Sequence, residues 1–481
     1  MLVLVVLLPL FIGIAQLIFK KFRRFNISIS SAYLIFNLIV IILNNGKEFT
    51  YQLGNWGDLG ITLGFDYMTE LFLLASLIVF SAVIFNSLNK NYPGLFYSLI
   101  SILYGSLNAV FISRDLFNVF VSVELASISV FILIVFQRKG PQIWASLKYL
   151  LISSSGFNLF LLGIGTVYME TGSFSFESLN SSSRFATLLI LAGLSVKSGM
   201  FLLSLWLPDA HSKAPTEVSA ILSGLIVKLH VYLAIRFLQY ESFYWLENIY
   251  VIAGWVSAIA GVIFAVRSNN IKRILAYSTM SQVGFMYAVP NIYGAEYAFN
   301  HAIFKSLLFL VIGNIYEKTG IMDYKKLKGK VELVDYIPLL IASLAIIGFP
   351  LTDGYVSKHE LLIHCSTPGF IILSLASVGT TIIFSKFIFL KSSKKFGRFL
   401  LNQNAAYYLL ISLVFFIGIR FFTFEDIQVT FIIIFSGMII YHFIKNKVTP
   451  ISNRLELLDN SLIIYICFIA FLITYLGFIT L

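Results

Sequence analysis

Apolar runs of about 20 residues recur along this chain from end to end, and each is long enough to cross roughly 30 Å of hydrocarbon. Inside hydrocarbon every backbone N–H and C=O has to be satisfied within the protein, so such runs fold as helices packed side by side. Only 12% of the 481 residues are charged, against roughly a quarter in a soluble domain. No polar stretch between the runs is long enough to fold by itself. The expectation is an all-α polytopic membrane protein, with 1–481 forming a single membrane domain. The first run lacks a basic segment before it and a small-residue cleavage site after it, so it reads as a retained helix. Cys365 and Cys467 lie far apart in apolar surroundings and read as packing residues, not as a metal or disulfide framework.

Hydropathy divides the chain into about sixteen spans, near 2 to 18, 28 to 44, 65 to 88, 94 to 112, 115 to 136, 144 to 168, 184 to 207, 216 to 238, 246 to 266, 271 to 290, 294 to 316, 335 to 364, 369 to 391, 404 to 423, 428 to 445 and 461 to 480. A count of fourteen follows if 428 to 445 and one other run lie along the surface. Alternate connections are basic: Lys20, Lys21, Arg23 and Arg24, then Lys90, Arg138 and Lys139, then Arg267, Lys272 and Arg273, then Lys325 to Lys330, and later Lys391 to Arg398, Lys445 and Lys447. The others hold Glu48, Asp58, Glu170, Glu177, Glu241, Glu247, Glu296, Glu425 and Asp426. The positive-inside rule makes the basic side cytoplasmic and leaves both termini outside. The net charge of +11 is thus spread over many short loops, with no aromatic platform for nucleic acid.

Two spans are interrupted. The seventh passes through Lys197, Ser198 and Gly199 to Trp206-Leu207-Pro208-Asp209-Ala210-His211. The twelfth contains Gly348-Phe349-Pro350-Leu351-Thr352-Asp353-Gly354, and Lys358 follows one turn later. Proline and glycine unwind a helix, and unwound backbone at membrane depth is tolerable only beside protein or a water-filled cavity. Each break is the fourth member of a five-span group, in spans 4–8 and 9–13. Five-span groups enter the membrane from opposite sides, which makes them inverted repeats, and matching breaks point to a transport site. The division expected is N-terminal helices at 1–92, a first repeat at 93–240, an inverted second at 245–392, and C-terminal helices at 400–481.

Five ionisable residues sit near the middle of apolar spans: Glu124, Lys197, Lys228, Lys305 and Lys358. A charge at the centre of a spanning helix costs roughly 2.5 to 3.5 kcal/mol on insertion-based scales, so several of them imply an ion or proton path. Glu124 stays ionised only beside a cation or water, and Lys197 is its expected partner. His301 and Lys305, four apart, share a helical face and read as a short relay; the plainer alternative for His301 is a satisfied core histidine. Lys358 reads as the terminal relay group. Lys386 is expected to snorkel toward the interface. Asp209, His211, Lys213 and Glu217 form either an inlet for ions or a solvated loop.

These segments resemble a known family. Ser195 to Met200 followed by Trp206 to His211 and Ala214-Pro215-Thr216 is similar to the signature of antiporter-like subunits. These comprise the proton-translocating membrane subunits of respiratory complex I, the A and D subunits of Mrp-type sodium/proton antiporters, and their relatives in membrane-bound hydrogenases. Lys272 to Gly284, His301 to Leu308, and Glu124 after Asp115-Leu116-Phe117-Asn118 resemble further signatures, and the Asp115 start is most similar to the Mrp D and hydrogenase branch. The resemblance runs from about residue 60 to 390. It implies fourteen or more helices with two inverted five-helix repeats. It also implies a Glu124–Lys197 switch and a central set of Lys228, His301 and Lys305 that hands a proton to Lys358.

An ion-translocating subunit of a larger assembly is therefore expected, moving protons with sodium exchange as an option. No nucleotide-binding glycine loop, iron–sulfur cysteines or haem ligands are visible, so neither cofactor nor redox site is expected in this chain, and the driving force has to come from partner membrane subunits. The alternative is a stand-alone carrier for a small solute, which would need a roomy central cavity. High Ile, Phe, Lys and Asn usage suits an AT-rich prokaryotic genome and a plasma membrane.

Overall fold

The computed structural model describes residues 1–54, 60–397, 401–424, 427–449 and 458–479. Of the loop charges named above, Asp58, Arg398, Glu425 and Asp426 lie outside the described residues. The chain begins with α1 (Leu2–Ile18) and α2 (Arg23–Asn44), a short hairpin of β1 (Phe49–Gln52) and β2 (Thr62–Phe65), then α3 (Tyr67–Ser87) and α4 (Gly94–Ile112). It continues through α5 (Leu116–Ile134), α6 (Gly140–Thr171), α7 (Arg184–Lys197), α8 (Leu207–Lys213), α9 (Thr216–Ile221) and α10 (Val227–Phe237). Next come α11 (Tyr244–Arg267), α12 (Ile271–Ala288), α13 (Ile292–Thr319), α14 (Leu333–Ile347), α15 (Asp353–Ile363) and α16 (Thr367–Ile388). The last three are α17 (Leu401–Arg420), α18 (Ile427–Ile444) and α19 (Leu458–Ile479).

Among the described residues, eleven helical stretches are long and apolar enough to cross a membrane, and α1 and α14 are shorter apolar helices. Each hydropathic run overlies a helix or a broken pair, α7 with α8 and α14 with α15. The hairpin was not expected. It pairs Phe49 with Phe65 and Gln52 with Thr62, and leads into Asp66, whose Oδ1 caps α3 at the Thr69 N–H, 2.9 Å away. Arg114 and Arg236 both ion-pair with Asp66, tying the starts of α3 and α5 to the end of α10.

The innermost elements are α13 and the α9–α10 stretch; the spanning window of the latter is wholly buried. They carry His301, Lys305 and Lys228, so the cations lie at the heart of the bundle and not on its lipid face. Helices α11 and α12 approach closely through small residues: a Cβ on Gly261 would stand 2.4 Å from the Ser281 N, and one on Gly284 equally close to the Ala258 N. Such small-residue contacts are how helices associate where lipid removes the hydrophobic drive. Between α9 and α10, residues 222–226 form one π-helical turn, a feature that hydropathy does not reveal.

Both breaks are built locally. After α7, Gly199 and Leu202 adopt left-handed backbone, and the freed Val196 carbonyl accepts from Ser204 Oγ (3.2 Å) and Trp206 Nε1 (3.1 Å). After α14, Gly348 and Leu351 are left-handed, and the Ile346 carbonyl accepts from Lys358 Nζ at 3.0 Å. The second break leaves no room at Gly354, where a Cβ would fall 1.8 Å from the Ala345 carbonyl oxygen. Gly354→Ala is expected to cost about 1–3 kcal/mol or more through forced backbone movement. A lowered thermal midpoint of the purified assembly would register it, and an unchanged midpoint would mean the break is looser than drawn.

Candidate ion-translocation site

The first break ends on Lys197, which is 1% exposed. Its ammonium donates to Glu124 Oε1 at 2.7 Å and to Ser127 Oγ at 2.6 Å, and lies 4.4 Å from the Phe157 ring centroid. Glu124 and Ser127 project from α5, whose start is fixed by Asp115 accepting from the Asn118 N–H at 2.6 Å. The second oxygen of Glu124 accepts from Ser154 of α6 at 3.3 Å. Three helices thus hold one carboxylate–ammonium pair. Glu124 keeps a quarter of its side chain exposed while Lys197 is almost sealed, so the pair is open toward one side only.

Lys228 follows the π-turn and donates to the Ser223 carbonyl inside it. A π-turn widens the helix by one residue and frees a carbonyl for such a partner. Ser223 Oγ in turn meets Thr279 Oγ1 of α12 at 2.8 Å. Lys305 donates to the Leu275 carbonyl at 2.9 Å and to Ser278 Oγ at 2.5 Å. His301 is fully buried, and neither ring nitrogen has a partner among the described residues. Lys358 reaches the Ile346 carbonyl and borders a cavity of about 100 Å³ that Gly348, His359, Ser377 and Thr430 also line.

Glu124 and Lys197 therefore meet as the sequence predicts. Lys228, His301, Lys305 and Lys358 all lie buried in the same bundle core, yet no direct hydrogen bond joins one to another among the described residues. They share one low-dielectric core instead, where charges interact over longer distances than in water. His301 and Lys305 share a face without touching, so their coupling runs through space or water. Among the described residues nothing hydrogen-bonds either His301 nitrogen, which favours the relay reading over a satisfied core histidine.

The proposed cluster of Asp209, His211, Lys213 and Glu217 separates into three environments. Asp209 bridges Lys148 and Arg273; Glu217 is buried against Lys90 and accepts from Tyr92 and Asn86; His211 stacks on Phe309 with both ring nitrogens unpartnered among the described residues. Lys228, Lys305 and Lys272 all act on His211, which makes it a further central group. The sequence offers it as part of an ion inlet or of a solvated loop. Lys386 does not snorkel into water: it donates to the Ala265, Val266 and Ser268 carbonyls at the end of α11.

A buried pair held this way is destabilised more by losing one member than by losing both, since a lone buried charge is left behind. Glu124→Ala is expected to cost on the order of 3 kcal/mol, and Glu124→Ala with Lys197→Met clearly less. Thermal unfolding of the two variants within the assembly tests the ordering; the reverse order would mean Lys197 finds another counter-charge.

Residues 113–384 match the family model described as NADH:quinone oxidoreductase/Mrp antiporter, transmembrane. The N subunit of the NADH-quinone oxidoreductase of Desulforudis audaxviator is 29% identical over 432 residues, covering 80% of this chain and 85% of that protein. The D subunit of the Na(+)/H(+) antiporter of Alkalihalophilus pseudofirmus is 29% identical over 420 residues, with 80% and 84% covered. Among solved structures, a chain of the Mrp complex from Dietzia superposes with a TM-score of 0.81 at 18% identity, covering 96% of this chain and 99% of that one, and so shares its fold.

Proposed function

We propose that this chain, which belongs to the NADH:quinone oxidoreductase/Mrp antiporter family, is an ion-translocating subunit of a multisubunit membrane complex. It moves protons along a mid-membrane row of Glu124, Lys197, Lys228, His301, Lys305 and Lys358, with sodium exchange as a further option. One observation supports this above others: a sealed ammonium, Lys197, is held by a carboxylate at the lip of a helix break, beside a core of further buried cations. Opening the pair leaves Lys197 without a counter-charge in a dry site, which drives its proton onward. The neighbouring lysines and His301 accept and release in turn, with water filling the gaps between them. Closing the pair resets the switch.

The chain holds the relay, and its partners supply the driving force. Relatives named as subunits of oxidoreductase and antiporter assemblies favour this over a stand-alone carrier. Geometry favours it too. The cavities of about 620 and 500 Å³ are lined by loop residues and helix ends, among them Lys325, Lys328 and Lys391, or Gln137, Lys213 and Asn270, and not by Lys197, Lys228, Lys305 or Lys358. The units 93–240 and 245–392 are read as inverted repeats, each with one break, flanked by helices in 1–92 and 400–481. The chain is multi-pass in a prokaryotic plasma membrane, with the basic loops inside and both termini outside.

Lys197→Ala and Glu124→Ala, assayed in vesicles holding the whole assembly, should each lower pH-gradient formation by at least tenfold while assembly persists. Unchanged pumping in both variants would remove the switch from the mechanism.

A further inference from the structure

Asp353 opens α15 at the second break and is fully buried. Its Oδ1 accepts from the Gly354 N–H at 2.7 Å, while its Oδ2 has no partner among the described residues. A carboxylate with a bare oxygen in a dry interior is far costlier than the neutral acid, which carries no net charge. The translocation row above makes no use of Asp353.

The surroundings suit proton exchange. On α13, the Tyr297 hydroxyl donates to Gln282 Oε1. Gln282 Nε2 continues to Thr380 Oγ1 of α16 at 3.1 Å. The Phe285 ring lies 6.0 Å from the Tyr297 ring and 5.4 Å from Lys358 Nζ, so phenol and ammonium flank one aromatic side chain. His301 is next, its ring 6.2 Å from that of Tyr297. Other titratable groups near this end, among the described residues, include Tyr355, His359 and Glu360 on α15, and Arg420, exposed at the end of α17 over the Phe421 ring. Helices α14 and α16 bring theirs, Asp335, Tyr336 and Lys386, at their far ends.

We propose that Asp353 holds a proton in the conformation seen here and is a further proton-carrying group of the relay, exchanging that proton through water with Lys358, which stands on the same short helix. The exchange balances simply. As the Lys358 ammonium gives up one proton, the Asp353 carboxylate takes one up, and a separated ion pair becomes a neutral amine and a neutral acid; the reverse step discharges the acid. The first break keeps its acid and base in contact on two helices, whereas the second keeps both on one broken helix with no bond between them. The inference rests on the translocation reading.

Asp353→Asn keeps the size and the Gly354 bond and cannot take up a proton. In proteoliposomes holding the whole complex, transport should fall at least tenfold, and the infrared carbonyl band of a protonated buried carboxyl should be present in the parent and absent in the variant. Asp353→Glu should restore part of the rate with a shifted band. Unchanged rate and pH profile in Asp353→Asn, or identical carbonyl spectra, would overturn the proposal. Where Asp353→Asn does not assemble, Asp353→Glu decides: a band that moves supports the assignment and one that stays overturns it. Loss of transport in Lys197→Ala and Glu124→Ala with full transport in Asp353→Asn would defeat this inference alone.

Discussion

Everything in this bundle depends on satisfying backbone carbonyls where no bulk water reaches them. An intact helix does that by itself, but a relay needs polar groups at mid-membrane, and a break is the cheapest way to aim them inward. The two breaks solve the problem differently. At the first, Ser204 and Trp206 bond the freed Val196 carbonyl, which leaves the Lys197 ammonium free to face Glu124. At the second, the Lys358 ammonium itself bonds the freed Ile346 carbonyl. One lysine is held by its counter-charge and the other by the backbone, so moving a proton off each disturbs a different thing: an ion pair in the first case, the fold of the break in the second.

The bundle's architecture was legible because hydrocarbon thickness, proline and glycine leave strong marks. Apolar runs, breaks at Gly199 and Gly348, and the Glu124–Lys197 partnership can all be read from composition and spacing. What escaped reading was set by tertiary contact. The hairpin at Phe49–Phe65 lies between two apolar runs and looks like loop. The π-turn that presents Ser223 to Lys228 differs from an α-turn by one residue, and no residue type demands it. His211 sits in a stretch that reads as a solvated connection, yet packing on Phe309 buries it. Asp353 looked like a break residue because its lack of an ion-pair partner among the described residues is a fact about neighbours distant in sequence.

The bundle's packing also explains why the central groups can stay put while protons move. Lys228, His301 and Lys305 lie on the two most buried elements, and close contacts such as Gly261 against Ser281 fix α11 against α12 beside them. Protein interiors packed to that density do not deform continuously. Movement is then confined to side chains and to the breaks, where glycine permits left-handed backbone at little cost. A rigid frame with two pliable points is what lets an event at Glu124 be felt elsewhere without the helices sliding.

The centre of the molecule carries more positive than negative potential charge. Lys228, Lys305 and Lys358 are buried with two bare imidazoles, His211 and His301, and their hydrogen-bond acceptors among the described residues are carbonyls and hydroxyls, not carboxylates. Several like charges in one low-dielectric region cannot all exist at once, because each ionised member disfavours the next. On the proposed relay, a proton arriving at one lysine would make every other harder to keep, and the row would pass charge by mutual exclusion instead of by a continuous wire. On that proposal, the Glu124–Lys197 pair at one end and the protonated Asp353 at the other would be the two places where a proton is held against a carboxyl group.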